Sequence, residues 1–468
     1  MSLSPRPSVV ATLGGNAAIP VAAVSVRRAD RLFWAIADSA RAPYSSLITL
    51  FVFSAYFTTM VAGDPVRGQA LWSAVAAVAA LLIGIGAIVI GPIADAGGRV
   101  KTWLAACVIL AVPALSALWF ATPGMVDGLG WVMLALVFSK VGIEFYQVFI
   151  NALLPRMGPR SSMGSLSGMG ILACNFANFA VLLIFLFAWS WTATPLFGFD
   201  MAAGEPQRAA GPMTALWLIL FSLPLFLFSP DAPATGLSFT ETMRAGLRSL
   251  LRTLPKLRAQ PNATRYLIAR TIYNQGLIVL MMFSGILAAG VLHWTPQMLV
   301  VQGLLNSFIA ALSGFFVGPL DRKAGTKASL ILFVSGAMAA NVLLCTISPS
   351  SILFITLPTS SDGTMFPLIA DKIFVAVNIG IAVTVSGAIA ASRTMMAKLA
   401  PPAMLADFFS LYALSGTVTS FVGPLAIGLV TAAFHSQRAG VAVGIPFFAV
   451  GLLLFARVAR PASFDGEA

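Results

Sequence analysis

The stretch "GPIADAGGRVK", Gly91 to Lys101, decides how this chain is read. It gathers glycines, an Asp, an Arg and a Lys inside an otherwise oily sequence. Of 468 residues, 59% are hydrophobic and 9% charged. A related stretch, "GPLDRKAGTK", returns at Gly318 to Lys327. Soluble domains carry about 25% charged residues, so this chain has too little polar surface to face water.

Apolar runs of eighteen or more residues read as membrane-spanning helices. Twelve are present, at 33–61, 71–93, 102–121, 131–154, 167–190, 212–229, 264–290, 297–319, 328–347, 367–391, 408–434 and 439–457. At about 1.5 Å per residue they cross about 30 Å of hydrocarbon, 212–229 only just. A spanning barrel would show short alternating strands instead, and none is visible. The expected class is an all-α polytopic membrane protein. Residues 1–31 are basic and lack the apolar core of a cleavable signal, so the first span is expected to direct insertion. Cys107, Cys174 and Cys345 all fall in apolar runs, which points to buried thiols and not to a disulfide framework. Two histidines, His293 and His435, sit in connections, so no metal site and no cofactor is expected.

The formal net charge of +12 is explained by topology. With twelve spans the connections alternate between two faces. One face collects Arg27, Arg28, Arg31, Arg99, Lys101, Arg156, Arg160, Arg244, Arg248, Arg252, Arg322, Lys323, Lys327, Arg393, Lys398 and Arg457, among others. The other holds Arg67, Arg208 and Arg438. This is the positive-inside pattern. It predicts both termini in the cytoplasm of a multi-pass protein and removes nucleic acid as a partner. The compact, Ala-rich chain without organelle signals favours a plasma membrane, that of a bacterial inner membrane.

The expected organisation is a tail (1–32), a six-helix bundle (33–230), a linker (231–263), a second bundle (264–458) and a tail (459–468). In the linker, Ser238 and Glu241 have capping-box spacing, and Met243, Leu247, Leu250, Leu251 and Leu254 make an apolar stripe. Arg244, Arg248 and Arg252 lie on another face. The pattern fits an amphipathic helix on lipid headgroups or a solvated linker helix. The two glycine-rich clusters fall between spans 2 and 3 and between spans 8 and 9, equivalent places in the two halves. Singly, each reads as a glycine turn with positive-inside charges. Repeated, they read as a charged latch in a machine whose halves rock against each other.

The first cluster resembles the signature loop of the major facilitator superfamily, G-x-x-x-D-x-x-G-R-x-K, matched here by Gly91, Asp95, Gly98, Arg99 and Lys101. The resemblance implies two pseudo-symmetric six-helix bundles, a central cavity and alternating access. The second loop supplies Asp321, Arg322, Gly325 and Lys327, with Arg322 where an Asp would keep the four-residue offset. "WAIADSARAPYSSLITLFVFSAYF", "FINALLP", "ARTIYNQG", "ASRTMMAKLAPP" and "FFSLYALSGTVTSFVGPL" resemble the vacuole-effluxer-like branch. That branch implies amino-acid efflux and includes bacterial relatives. Two departures bear on cargo: Ala37-Asp38-Ser39-Ala40 where relatives tend to have Asp-Trp-Ala-Asn-Ser, and Gln275 where an acidic residue is common.

Charges inside hydrocarbon cost about 2.5–3.5 kcal/mol each on insertion scales and mark function by default. Lys140 and Glu144 share one face in mid-span 4, as a proton-coupling site or a self-neutralising pair. Asp38 and Arg41 in span 1 and Arg270 in span 7 lie at comparable depth. The arginines can grip a carboxylate by forked hydrogen bonds or form a charged gate. Tyr273, Asn274 and Gln275 add polar groups to span 7, and Tyr146 and Asn151 to span 4. Asn175 and Asn178 read as interhelical glue, Arg393 as topology and gating, and Asp371 and Lys372 as markers of the outer end of span 10. No nucleotide-binding G-x-x-x-x-G-K-[ST] loop occurs, and no histidine lies in a span, so neither direct ATP drive nor an embedded enzyme is expected.

The expected function is secondary transport of a small polar solute, an amino acid or related carboxylate. It runs down the solute's own gradient or with protons, and the bilayer is its other partner. A non-transporting scaffold or sensor is the alternative. Oligomeric state is left open, a monomer being sufficient.

Overall fold

The computed structural model describes residues 27–96, 99–125, 127–154, 157, 163–191, 196–229, 231, 241, 244, 255, 258–401 and 404–459. Residues 1–26 and 460–468 of the tails, Gly98, Arg156, Arg160 and the linker's expected amphipathic stripe lie outside the described residues.

Among the described residues, twelve helices are long and apolar enough to cross a membrane. Spans 1 to 6 are Arg28–Val61, Pro65–Ala87, Val100–Phe120, Leu129–Leu153, Gly168–Trp189 and Glu205–Phe228. Spans 7 to 12 are Pro261–Val291, Pro296–Ser313, Thr326–Thr346, Ile369–Leu399, Phe408–Phe434 and Gln437–Ala456. All twelve expected spans are present. Span 6, expected to be marginal, is a full 24-residue helix. It starts seven residues earlier than its apolar run because Glu205 in the first turn and Pro206 at its head make a good helix start.

Spans 1–6 and 7–12 pack as two six-helix bundles with matching neighbours. Span 1 touches 5 and 6 as span 7 touches 11 and 12; spans 2 and 3 touch 4 as spans 8 and 9 touch 10. Spans 3 and 6 meet as spans 9 and 12 do. The bundles join through spans 2 and 11 and through spans 5 and 8, equivalent pairs under the same two-fold relation.

The glycine-rich clusters sit on the face that carries the described chain ends, here the near face. Arg99 opens span 3 at φ 45°, and Gly325 opens span 9 at φ 81°. Both turns need positive φ, which glycine adopts freely and arginine only under constraint. In the first turn of the next helix, each cluster places a lysine with the same task. Lys101 Nζ donates to the carbonyls of Phe226 (2.9 Å) and Ser229 at the end of span 6. Lys327 Nζ donates to the carbonyls of Ala456 (2.8 Å) and Val458 (2.6 Å) at the end of span 12. In the second half the expected latch therefore takes a different form; the Asp95 side chain of the first lies outside the description. The lysines hold orphan helix-end carbonyls, which lack intrahelical donors and carry negative dipole charge. Asp321 instead faces Lys398 of span 10 (3.4 Å), which also donates to Thr326 Oγ1 (2.6 Å). Arg322 and Arg393 are exposed. The structure gives Gly91 and Asp95 a helical backbone within Pro65–Ala96.

On the opposite, far face a neutral clasp joins the halves. Gln69 Nε2 of span 2 donates to Thr431 Oγ1 (2.8 Å) and to the Gln437 carbonyl (3.0 Å). Gln437 Nε2 donates back to the Pro65 carbonyl (2.9 Å). A Cβ at Gly440 would fall 1.9 Å from Thr431 Oγ1 and 2.7 Å from Gln69 Nε2, so the clasp exists only because that position is glycine. Also at this end, Asp371 caps span 10 and accepts from Trp294 Nε1 (2.8 Å). Lys372 bonds Asp362 in the preceding connection, and with Thr364 it holds that carboxyl well below the usual carboxylate range.

Replacing Lys101 or Lys327 with Met should each lower stability by about 1 kcal/mol, the scale of a half-exposed cation on a helix C-terminus. The two losses should add, because the sites lie in separate bundles. Thermal unfolding in detergent of the single and double variants checks this.

Candidate functional site

A cavity of about 290 Å³ lies where the two bundles meet. Span 2 lines it with an apolar wall that includes Trp72, Val75, Ala79 and Ile83, and span 7 adds Ile278 and Met282. Its charge comes from span 4. Leu136, Lys140 and Glu144 recur every four residues, so they share one helix face, and all three line the cavity. Lys140 Nζ donates to Glu144 Oε1 at 2.6 Å. The side chains are 31% and 41% exposed. Lys140 also stands 5.5 Å from the centroid of the Tyr44 ring, a cation–π contact that steadies the ammonium.

The wall contributed by span 11 is a broken helix. Helical segments Leu405–Val418 and Val422–Phe434 are separated by a turn over residues 419–421. Pro424 has no N–H for the Ser420 carbonyl, and flanking Gly416 and Gly423 weaken the helix further. Gly416, Thr417, Ser420 and Pro424 all line the cavity. Gln275 splints the break: its Nε2 donates to Thr419 Oγ1 (3.1 Å), and its Oε1 accepts from the Gly423 N–H (3.1 Å). This expected site residue is thus engaged with span 11 and does not line the cavity.

Two polar clusters occupy equivalent junctions, spans 1/4/5 and 7/10/11. In the first, Asp38 is 6% exposed and Arg41 Nε reaches its Oδ1 at 3.5 Å. Gln147 Nε2 donates to the same oxygen (3.3 Å) and to Asn151 Oδ1 (2.9 Å), and the Cys174 thiol donates to the Asp38 carbonyl (3.3 Å). In the second, the hydroxyls of Tyr266 (2.7 Å), Tyr273 (3.0 Å) and Tyr412 (3.1 Å) converge on Ser392 Oγ. Arg270 Nη1 donates to the Tyr412 carbonyl (2.7 Å) and to Ser415 Oγ (3.1 Å), and its guanidinium lies 3.5 Å from the Tyr412 ring centroid.

Lys140 and Glu144 are therefore the expected residues that line the cavity. Arg41 and Arg270 are not brought together; each is held within its own half. Tyr146 donates to the Ala37 carbonyl (2.8 Å) and shares a bond with Ser222 (2.9 Å), tying span 4 to spans 1 and 6. Asn274 is half-buried, one turn from Ile278 on the same stripe of span 7. Sequence reasoning missed Gln147, Ser392, Tyr412, the neutral clasp and the break in span 11. Only the break left a local signal, the glycines and proline inside an apolar run. The others are partners from distant spans.

Residues 160–464 match the family model described as vacuole effluxer Atg22 like. The chain belongs to the Atg22-like family. It is similar to autophagy-related protein 22 of Cryptococcus neoformans var. neoformans serotype D (strain B-3501A), 24% identical over 302 residues. That match covers 63% of this chain and 52% of the relative, so the chain spans about half the length of these autophagy-related relatives. It is also similar to the uncharacterized MFS-type transporter YxiO of Bacillus subtilis (strain 168), 20% identical over 447 residues, covering 92% and 95% of the two chains. Among solved structures, a POT family transporter in complex with 5-aminolevulinic acid aligns at TM-score 0.67 and 12% identity, over 92% and 96% of the two chains. The inward-open xylose transporter XylE of E. coli aligns at 0.61 and 14%, over 93% and 96%. At such identities the likeness is one of fold. That fold is the major facilitator fold of membrane transporters, and neither family nor fold is that of an enzyme.

Changing Ser392 to Ala removes the hydroxyl that accepts from Tyr273 and Tyr412 and shares a bond with Tyr266. Interhelical hydrogen bonds in membranes are individually weak, but this one serves a network, so a loss of about 1–2 kcal/mol is expected. Denaturant or thermal unfolding in detergent measures it.

Proposed function

We propose that this chain is a secondary carrier for amino acids that works by alternating access. The observation that carries this reading is the Lys140–Glu144 ion pair on the wall of an otherwise largely apolar cavity between the halves. An ion pair there is costly to desolvate unless it recovers partners, and an amino acid offers two. Its carboxylate takes Lys140 and its ammonium takes Glu144, exchanging one intrahelical pair for two intermolecular ones. The apolar wall of spans 2 and 7 receives the carbon skeleton. When cargo leaves, the pair closes again and neither charge is stranded. A proton, if coupled, travels on Glu144, the carboxylate among the cavity-lining residues.

The neutral clasp supports the conformational half of the reading. It closes the far end with hydrogen bonds of about 1 kcal/mol each, weak enough for cargo binding to break. The basic residues of the near face, Arg99, Lys101, Lys327 and Lys398, support a cytoplasmic assignment for that face and for both termini. A bacterial plasma membrane and export of cargo complete the reading.

Purified protein in liposomes with a trapped pH dye and labelled amino acids tests it. Wild-type protein should move cargo, and Lys140→Met and Glu144→Gln should each slow it by about tenfold or more, as loss of a charge-assisted contact does. Proton movement that disappears in Glu144→Gln assigns coupling to that residue; cargo movement without pH change makes the carrier a uniporter. Unchanged flux in both variants sinks the cavity assignment, and no flux of any solute leaves a scaffold or sensor. Separately, Gln69→Ala should loosen the far end. A cysteine placed at Ser73, wholly buried beside the clasp, should then react with a membrane-impermeant maleimide several times faster than it does with Gln69 intact.

A further inference from the structure

The charges around the cavity do not balance. Lys140 is paired with Glu144, and Arg41 with Asp38. Arg270, 9% exposed, has no carboxylate partner among the described residues. Among the described residues its bonds run from Nη1, to a backbone carbonyl and a serine hydroxyl, and its face rests on Tyr412. Neutral acceptors and an aromatic face can hold a guanidinium in place, but no carboxylate among the described residues compensates its charge. A cation kept this way within a spanning bundle marks a place where an anion is received.

The position of Arg270 says where that anion comes from. A Cβ built on Gly416 would lie 3.2 Å from Nη2 and 3.3 Å from Nη1. Gly416 itself lines the cavity. A single residue without a side chain therefore separates the guanidinium from the space that also holds Lys140 and Glu144. That residue belongs to the near segment of span 11, just before the break at residues 419–421, so the wall beside Arg270 is also the wall able to bend. Arg41 also stands near the Lys140–Glu144 pair, but Asp38 already answers its charge.

We infer that the cargo is an acidic amino acid, whose second carboxylate is received by Arg270 past Gly416. This rests on the assignment of Lys140 and Glu144 to the cargo's α-carboxylate and ammonium. The full set is then two cations and one carboxylate from the protein against two carboxylates and one ammonium from the cargo, and the occupied cavity is neutral. It also gives each bundle one hold on the cargo, Lys140 and Glu144 from the first and Arg270 from the second. Cargo so held bridges the halves. A neutral amino acid would leave the arginine unanswered and span the gap with carbon alone.

The test is a thermal-shift titration of the full-length protein in detergent with glutamate, glutamine and leucine. Wild type, Arg270→Gln, Gly416→Val and Lys140→Met are compared. Gly416→Val keeps the arginine and covers it, so the result does not depend on the arginine variant folding. Wild type should bind glutamate about tenfold or more tightly than glutamine, the scale of one charge-assisted contact. That ratio should fall towards one in both Arg270→Gln and Gly416→Val. Equal affinity for glutamate and glutamine in wild type overturns the inference, as does a preference that survives both substitutions. If in those cases Lys140→Met still abolishes binding of all three, the amino-acid carrier stands and only the acidic cargo falls. Binding of none of the three by wild type overturns both.

Discussion

Hydrocarbon offers no hydrogen bonds, and that constraint organises this molecule from its helix ends to its cavity. A polar group within a span is best served by a partner within the protein, and at the places that shape this fold the partner is on another span. Where spans 6 and 12 end, their last carbonyls would be orphaned, and Lys101 and Lys327 reach across from spans 3 and 9 to answer them. Where span 11 breaks, Gln275 donates to Thr419 and accepts from Gly423, so an amide from span 7 mends what Pro424 interrupts. Where tyrosine hydroxyls enter the second bundle, one serine gathers them. Structural order and polar satisfaction are one problem here, solved pair by pair.

The two halves solve it with the same architecture and different chemistry. Equivalent junctions hold an acid with its arginine in spans 1/4/5 and an arginine on tyrosine in spans 7/10/11. The signature turns likewise share positive φ but use arginine in one half and glycine in the other. The cavity inherits this imbalance. Its ion pair comes from span 4, while span 11 presents a glycine, hydroxyls and a break. Pseudo-symmetry sets where the walls stand, and departures from it decide what they can hold. The clasp at the far end carries no charge. Bonds of that kind separate without leaving ions in a low-dielectric seam, which suits a contact that must open and close repeatedly.

Much of this was legible beforehand because spanning helices obey a one-dimensional rule. An apolar run long enough to cross the bilayer has almost no other stable form, so all twelve runs became helices. The Lys140–Glu144 pair was equally readable: four residues on one helix puts two side chains together whatever surrounds them. The misreadings share one cause. Arg41 and Arg270 looked like a pair because they lie at similar depth, but depth says nothing about the partner each finds sideways. The second glycine-rich cluster read as a charged latch within its own turn, yet Asp321 turned to Lys398, 77 positions along the chain. Span 6 looked short because an apolar count ignores the polar first turn that starts a helix.

The sequence alone determined the class, the number of spans, the division into matching halves and the family resemblance, since hydrophobic length and local motifs act along the chain. It also determined that a charged pair lies in mid-span 4. Only the tertiary structure decided that this pair faces a cavity between the bundles, that Arg270 finds neutral acceptors on span 11 and no carboxylate among the described residues, and that Gln69 meets Thr431 and Gln437 across the seam. The reason is physical. Whether a buried charge is compensated depends on atoms within a few ångströms, and in a bundle of long helices those atoms belong to residues more than a hundred positions away.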